Sequence, residues 1–285
     1  MNQIRQQLRV LLTGPRGPGR TLPADAWAWV ADGKLLRASL LAQLAIARHS
    51  AAPHWHPAAI AVELVHAASL IHDDVIDGGW LRRHAPALWR RYGIRAAILG
   101  GDSLLAEASA LLIRTAAVPR RTLADLMRAA QQICHAEMQR ELAPVSSTGA
   151  PPPPLSPREI RALAREKTGP LFAFAAVASL PASAPPARHA WWWKTGCEIG
   201  MIYQMADDLS DAVVSDAITG KSMGRDSARH LQTCTSCISL ADIRARLQRC
   251  RAECARAPIA RPAERAALEA FFAIDFASAL APMLA

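Results

Sequence analysis

Apolar residues recur at helical spacing over most of the chain, and strand-like alternation is absent. Ala24 to Arg48 keeps that spacing with one interruption at Asp32-Gly33. Pro57 to Asp77 is a long apolar run with Glu63 and His66 set into it, followed by Ile94 to Ala117 and an amphipathic stretch from Thr122 to Leu142. Val145 to Pro154, VSSTGAPPPP, reads as a loop. Directly after it, Ser156, Pro157 and Glu159 take the N-cap, first and third positions of a helix that the pattern carries through Lys167 into Leu180. A break at PASAPPAR precedes a helix from His189 to about Val214, and amphipathic helices from Ala241 fill the remainder. The pattern predicts an all-α protein. No shift of composition divides it, so residues 1–285 are expected to form a single helical domain.

Two stretches break the apolar pattern in the same way. HDDVID carries Asp73, Asp74 and Asp77, and QMADDLSD carries Asp207, Asp208 and Asp211, so Asp-Asp-x-x-Asp occurs twice. Residues i and i+4 share a helical face, which pairs Asp73 with Asp77 and Asp207 with Asp211. Carboxylates packed together repel unless cations neutralise them. Two such pairs facing one cavity make an all-oxygen site for Mg2+, an ion that keeps several waters and is usually completed by substrate phosphates. A diphosphate substrate is the expectation. Polar residues elsewhere stand in positions an apolar core would not choose. Lys34 and Arg37, at i and i+3, can hold one anion from one helical face, and His66 lies two turns before Asp73. Arg82 and Arg83 follow the first motif, Lys167, Thr168 and Gln204 lie in later helices, and Lys221 follows the second motif.

Composition changes this picture little. Apolar residues make up 51% and aromatics 5%, which suits a helical globular protein. The net charge of +9 comes mostly from arginine; no basic block interleaves with aromatics, and no nucleic-acid module is recognisable, so no nucleic-acid partner is expected. The N-terminal residues lack the apolar stretch of a signal peptide, and the proline-broken segment Pro170 to Ala187 is too short to span a membrane. A soluble cytoplasmic enzyme without a transmembrane segment is expected. Cys234, Cys237, Cys250 and Cys254 form two close pairs with zinc-ligand character, but Cys250 and Cys254 stand at i, i+4 in a helix-like stretch, and reduced thiols are the expectation.

DGKLLRASL, VELVHAASLIHDDVIDGGWLRR, AILGGDSLL, KTGPLF and YQMADDLSD, followed by GKSMGRD, resemble in that order the motifs of the trans-isoprenyl diphosphate synthases, the polyprenyl synthetase family. The resemblance runs from about Asp32 to Thr233. It implies the isoprenoid synthase fold of long helices around a deep central cavity, usually as a homodimer. The implied reaction is the 1'-4, head-to-tail condensation of isopentenyl diphosphate with an allylic diphosphate (dimethylallyl, geranyl or farnesyl) through an allylic carbocation. By the same resemblance Asp73, Asp77 and Asp207 are the main ligands of Mg2+, three ions in all. Asp74, Asp208 and Asp211 complete the shell directly or through water. Arg82, Lys167 and Lys221 hold the allylic diphosphate; Lys34, Arg37, His66 and Arg83 hold that of isopentenyl diphosphate; Thr168 and Gln204 turn oxygen dipoles on the cation. A terpene cyclase shares the Asp-rich site but needs no isopentenyl diphosphate site. A non-catalytic subunit of a heteromeric synthase commonly loses the aspartates, which are complete here.

The chain departs from the family pattern in three places. His84, Ala87 and Trp89 replace Gly, Thr and His after the two arginines, His230 to Thr233 lacks a lysine that Arg225 or Arg229 would have to replace, and the ending ASALAPMLA is not basic. Product length in this family is limited by bulk before the first Asp motif. The residues five and four before Asp73 are Ala68 and Ser69, both small, which points to geranylgeranyl diphosphate as the main product, with farnesyl or longer polyprenyl products as the alternatives.

Overall fold

Ten consecutive residues, Leu36 to Ala45, are buried at the centre of the protein, Arg37, Ser39 and Gln43 among them. A helix apolar nearly all round has no face to offer water and becomes a core element. The structure is a computed structural model and describes residues 2–13, 22–23, 27, 32–82, 85–142, 155–213 and 238–284. Its helices, in chain order, are α1 (Asn2–Thr13), the central α2 (Leu36–Ala47), α3 (Ala52–Ile76), α4 (Leu88–Tyr92), α5 (Ile94–Arg114), α6 (Arg120–Glu141), α7 (Pro157–Val177), α8 (Pro186–Val213), α9 (Leu240–Arg256), α10 (Pro262–Ala270), a π-helical turn (Phe271–Phe276) and α11 (Ala277–Leu284). Two-residue strands β1 (Leu81–Arg82) and β2 (Ala85–Pro86) pair antiparallel between α3 and α4. They are too short to leave an alternating signature in the sequence.

The periodicity located the helices, and local chemistry moved their ends. Helix α2 starts at Leu36 because Leu35 takes the left-handed conformation, φ 50° and ψ 37°, which stops a helix from running through it. Helix α3 begins five residues before Pro57, with Pro53 in its first turn, where proline needs no amide partner, and Pro57 inside it. Helix α7 ends at Val177 instead of Leu180, and α8 starts at Pro186. The predicted Ser156 cap forms: its hydroxyl accepts from the Glu159 amide while the Glu159 carboxylate accepts from the Ser156 amide. Asp102 lies within α5, exposed, 3.5 Å from His72.

Helix α2 packs on α3, α7 and α10, and α7 lies along α8 in the most extensive helix pair. That pair approaches closely because α8 presents Gly196 and Gly200 to α7. A methyl group on Gly196 would stand 2.4 Å from the Ala173 Cα, and one on Gly200 would stand 2.7 Å from the Gly169 Cα. At the end away from the aspartates, Arg48 ties four helices. Its Nε donates to Glu264 of α10 at 2.7 Å, its Nη1 donates to the Ala176 carbonyl of α7 and to Ser179, and its guanidinium stacks on Trp192 of α8. Arg188 adds a second cation to the fully buried Glu264.

Candidate active site

The first Asp motif closes α3. Asp73 and Asp77 lie one turn apart, joined by the Asp77 amide to the Asp73 carbonyl at 2.7 Å, and both are half-buried. Asp74, next to Asp73, is buried. The two glycines that follow make its position possible. Gly78 turns the chain at φ 65°, and at Gly79 a side chain would collide with the Asp74 carboxylate, 2.7 Å from a Cβ there. The β1–β2 hairpin then folds back, held by the Trp89 indole on the Gly79 carbonyl, and lays Arg82 on Asp74 at 2.6 Å. Burial opposes the charge on Arg82, but the hydrogen bond to Asp74 and the charges of Asp74, Asp73 and Asp207 outweigh it and raise its pKa. Both Asp motifs therefore act on one guanidinium.

Helices α6 and α7 bring two further charges and one surprise. Lys167 is half-buried against Asp73 and Glu137; desolvation works against its ammonium, and the two carboxylates more than compensate and raise its pKa. Its Nζ is 2.9 Å from Glu137, which also reaches Arg140 at 3.4 Å, and Arg140 in turn stands 4.0 Å from Asp77. Glu137 and Arg140 were not among the predicted site residues. They belong to the polar face of an amphipathic helix, and only packing reveals that this face meets the Asp motif instead of water. Burial is the main reason the Asp73 carboxyl is pushed up to about 6; Glu137 and Asp77 push the same way, and Lys167 and Arg82 oppose them.

The second motif lies on the last turns of α8. Asp207 and Asp208 are half-buried; the helix includes Asp211, whose side chain lies outside the described residues. The close α7–α8 packing sets Thr168 beside Gln204: the threonine hydroxyl donates to the glutamine carbonyl oxygen, and the glutamine amide donates to Asp208 at 2.6 Å. Thr168 is buried, which anchors this chain of hydrogen bonds at its threonine end.

Lys34 and Arg37 do not share a helical face. The left-handed turn at Leu35 separates them, leaving Lys34 outside the helix. Lys34 is exposed, with its Nζ 3.4 Å from the Tyr203 hydroxyl and 3.2 Å from the Ala279 carbonyl of α11. Arg37 is buried over the Phe172 ring at 4.8 Å, and desolvation lowers its pKa against the attraction of Glu63, Tyr203 and Asp207. From different elements, the two both lie near Tyr203. His66 is half-buried two turns before Asp73, Ala68 is fully buried, and Ser69 donates to the His66 carbonyl at 2.8 Å. Arg83, Lys221, Cys234 and Cys237 lie outside the described residues, while Cys250 and Cys254 are buried on α9.

Among the described residues no three His, Cys, Asp or Glu side chains enclose a metal position by themselves. Around the first motif the carboxylates of Asp73, Asp74, Asp77 and Glu137 meet the cations Arg82, Arg140 and Lys167, and Asp207 and Asp208 add to the negative side. The arrangement provides oxygen donors for a hard cation and fixed positive groups for an anion in one place.

Comparison with known proteins places this geometry. Residues 23–263 match the family model described as Polyprenyl synthetase. Geranylgeranyl diphosphate synthase of Cereibacter sphaeroides is 34% identical over 217 residues, covering 75% of this chain and 72% of that protein. Geranylgeranyl diphosphate synthase of Mycobacterium tuberculosis is 32% identical over 205 residues; the match covers 71% of this chain and 57% of that longer protein. Among solved structures, a geranyltransferase from Helicobacter pylori complexed with magnesium and isoprenyl diphosphate superposes with a TM-score of 0.77 at 19% identity, covering 96% of each chain. That likeness shows the isoprenoid synthase fold.

Proposed function

We infer the activity from a premise that the sequence match supplies: this chain belongs to the polyprenyl synthetase family. It is a trans-prenyltransferase that condenses isopentenyl diphosphate with an allylic diphosphate, head to tail, with geranylgeranyl diphosphate as its main product. The observation that carries this reading is the meeting of both Asp motifs at Arg82, with Lys167 on the first motif and with Lys34, ahead of α2, and Arg37, in its first turn, both near Tyr203. It works as a cytoplasmic homodimer, each chain a single helical domain.

The donor set fits Mg2+. Asp73, Asp77, Asp207 and Asp208 offer only oxygen, and an ion completed by diphosphate and water needs one or two carboxylates. Asp73, Asp77 and Asp207 would hold the ions, three in number, with Asp208 and Asp211 completing the shell. The bound metal supplies charge neutralisation that makes the allylic diphosphate a better leaving group. Asp74, committed to Arg82, instead holds that guanidinium where the diphosphate docks. Lys167 and Lys221 add point charges to the same anion, while Lys34, Arg37, His66 and Arg83 take the diphosphate of isopentenyl diphosphate. The carbon–oxygen bond of the allylic diphosphate breaks, and the isopentenyl double bond attacks the resulting cation. The Thr168–Gln204 pair faces that cation with oxygen dipoles, as preorganised stabilisation requires. The released diphosphate accepts the final proton, so no side chain has to cycle as a base.

Ala68 and Ser69 set the product length. A turn before His72, the same face of α3 carries Ala68. Helix α5 meets His72 at Gly101, where a Cβ would stand 2.1 Å from the ring, and a turn beyond it carries Leu104 and Leu105. We propose that these leucines form the floor under Ala68. Purified protein incubated with isopentenyl diphosphate, Mg2+ and each allylic primer in turn tests the whole reading. Linear twenty-carbon product is expected; cyclic hydrocarbon, or no turnover with any primer, would sink it. In the same assay Ala68→Phe should shorten the product, and an unchanged distribution would remove Ala68 from the length-setting role.

A further inference from the structure

One buried carboxylate has no part in the reaction outlined above. Glu63 lies in the middle of α3, 5% exposed, between Val62 and Leu64, which are fully buried. A charge in such a place is costly unless it is hydrogen-bonded. Its Oε1 accepts from the Ala38 amide at 2.9 Å, across the gap between α3 and α2.

Ala38 is the third residue of α2, and the amides of a helix's first turn have no partner within the helix. The residue before the helix is leucine, which has no side-chain group to cap them. The carboxylate from α3 takes that task. It does so beside Leu35, whose left-handed backbone is uncommon for a bulky residue and persists only where the surroundings over-determine it. That turn sends Lys34 out to Tyr203 and Ala279 and sends Arg37 in against Phe172. Arg37 is 7% exposed, and its Nε has no hydrogen-bond partner among the described residues. Glu63 is also the foremost opposite charge acting on Arg37. A cation held in an apolar setting with hydrogen-bonding capacity to spare is arranged for an arriving anion.

We propose that Glu63 is a positioning residue of the isopentenyl diphosphate site: it pins the first turn of α2 through the Ala38 amide and so holds Lys34 and Arg37 convergent on one diphosphate. Glu63 itself touches no substrate. The inference rests on the reading that Lys34 and Arg37 bind isopentenyl diphosphate.

Three variants separate this role from a merely structural one. Glu63→Leu keeps the bulk and removes the acceptor, and it should raise the KM for isopentenyl diphosphate by about tenfold or more while the KM for the allylic diphosphate stays put. Glu63→Gln keeps an oxygen facing Ala38 and should stay within about threefold of the parent protein. Calorimetric titration with isopentenyl diphosphate alone should follow the same order. A Glu63→Leu protein that loses stability but keeps both KM values, or moves both equally, overturns the positioning role. If Glu63→Leu does not fold, Glu63→Asp, one methylene too short to reach the amide, gives the same comparison. Failure of the underlying reading looks different, because the parent protein would then neither bind nor turn over isopentenyl diphosphate.

Discussion

Asp73 is set against its own ionisation. Burial raises its carboxyl to about 6, and Glu137 and Asp77 push the same way. Its ordinary value is near 3.8, so the folded protein holds this proton more tightly than the unfolded chain does. The stability tied to that proton is present at low pH and is lost as pH rises through 6. At pH 7.5 without metal, Asp73 is therefore a liability that the proposed Mg2+ would remove. Asp73→Asn should stabilise the metal-free protein at pH 7.5 by about 1–2 kcal/mol and flatten its loss of stability between pH 5 and 7.5, while abolishing turnover. Chemical unfolding in EDTA at both pH values reads this out, and a destabilised Asn variant would refute it. The aspartates were legible in the sequence because a carboxylate inside an apolar helix needs a reason. Lys34 and Arg37 were legible as cations but not as geometry, since helical spacing cannot foresee a left-handed Leu35 between them. Glu137 and Arg140 were not legible at all: charges three apart on an amphipathic helix look the same whether they face water or the first Asp motif.

Between elements, backbone contact positions the chemistry. Gly196 and Gly200 let α8 settle on α7, and that approach is what brings Thr168 to Gln204 and, through it, to Asp208. Gly200→Ala introduces a Cβ 2.7 Å from Gly169, against backbone that cannot rotate away. It should cost about 1–3 kcal/mol by overpacking and should weaken allylic substrate handling as Gln204 shifts. Urea unfolding and steady-state kinetics on one preparation check both, and an alanine variant with unchanged kinetics would show that α8 does not need this approach. Arg48 does the equivalent work at the other end. It joins the end of α2, the last turn of α7, the start of α10 and Trp192, with burial lowering its pKa to about 10 despite the hydrogen bond to Glu264. Arg48→Ala leaves Glu264 buried against Arg188 at 2.6 Å with one cation fewer, and should cost about 3–5 kcal/mol, seen as a lower unfolding midpoint. The helices themselves were legible because their apolar spacing is local. Their ends, and the contacts of Gly200 and Arg48, depend on partners far along the chain.

For the whole molecule, the unbalanced feature is α5. Ala97, Gly101, Leu104, Ala108 and Leu112 form a buried stripe, while Ile94, Ile98, Leu99 and Ile113 are 52%, 43%, 68% and 69% exposed. Among the described residues it is the one helix long and apolar enough to cross a membrane, yet only a third of its apolar window is buried in this chain. Its outer side also carries the exposed Arg95 and Asp102, which a bilayer interior would reject. The proposed homodimer would accommodate both kinds of residue, because a two-fold contact can place the apolar side against itself with charges at the rim. The α3–α5 packing that seats His72 on Gly101 would then be braced from outside, coupling the pairing of chains to the Asp73–Asp77 end of α3. Light scattering during size-exclusion chromatography should give twice the chain mass for the parent protein. In the proposed homodimer Leu99→Arg would put like charges across the α5 contact, and it should yield monomers whose helical signal is kept and whose turnover falls by about tenfold or more. A parent protein that runs as a monomer at assay concentration, with full activity, would mean that α5 meets some other partner.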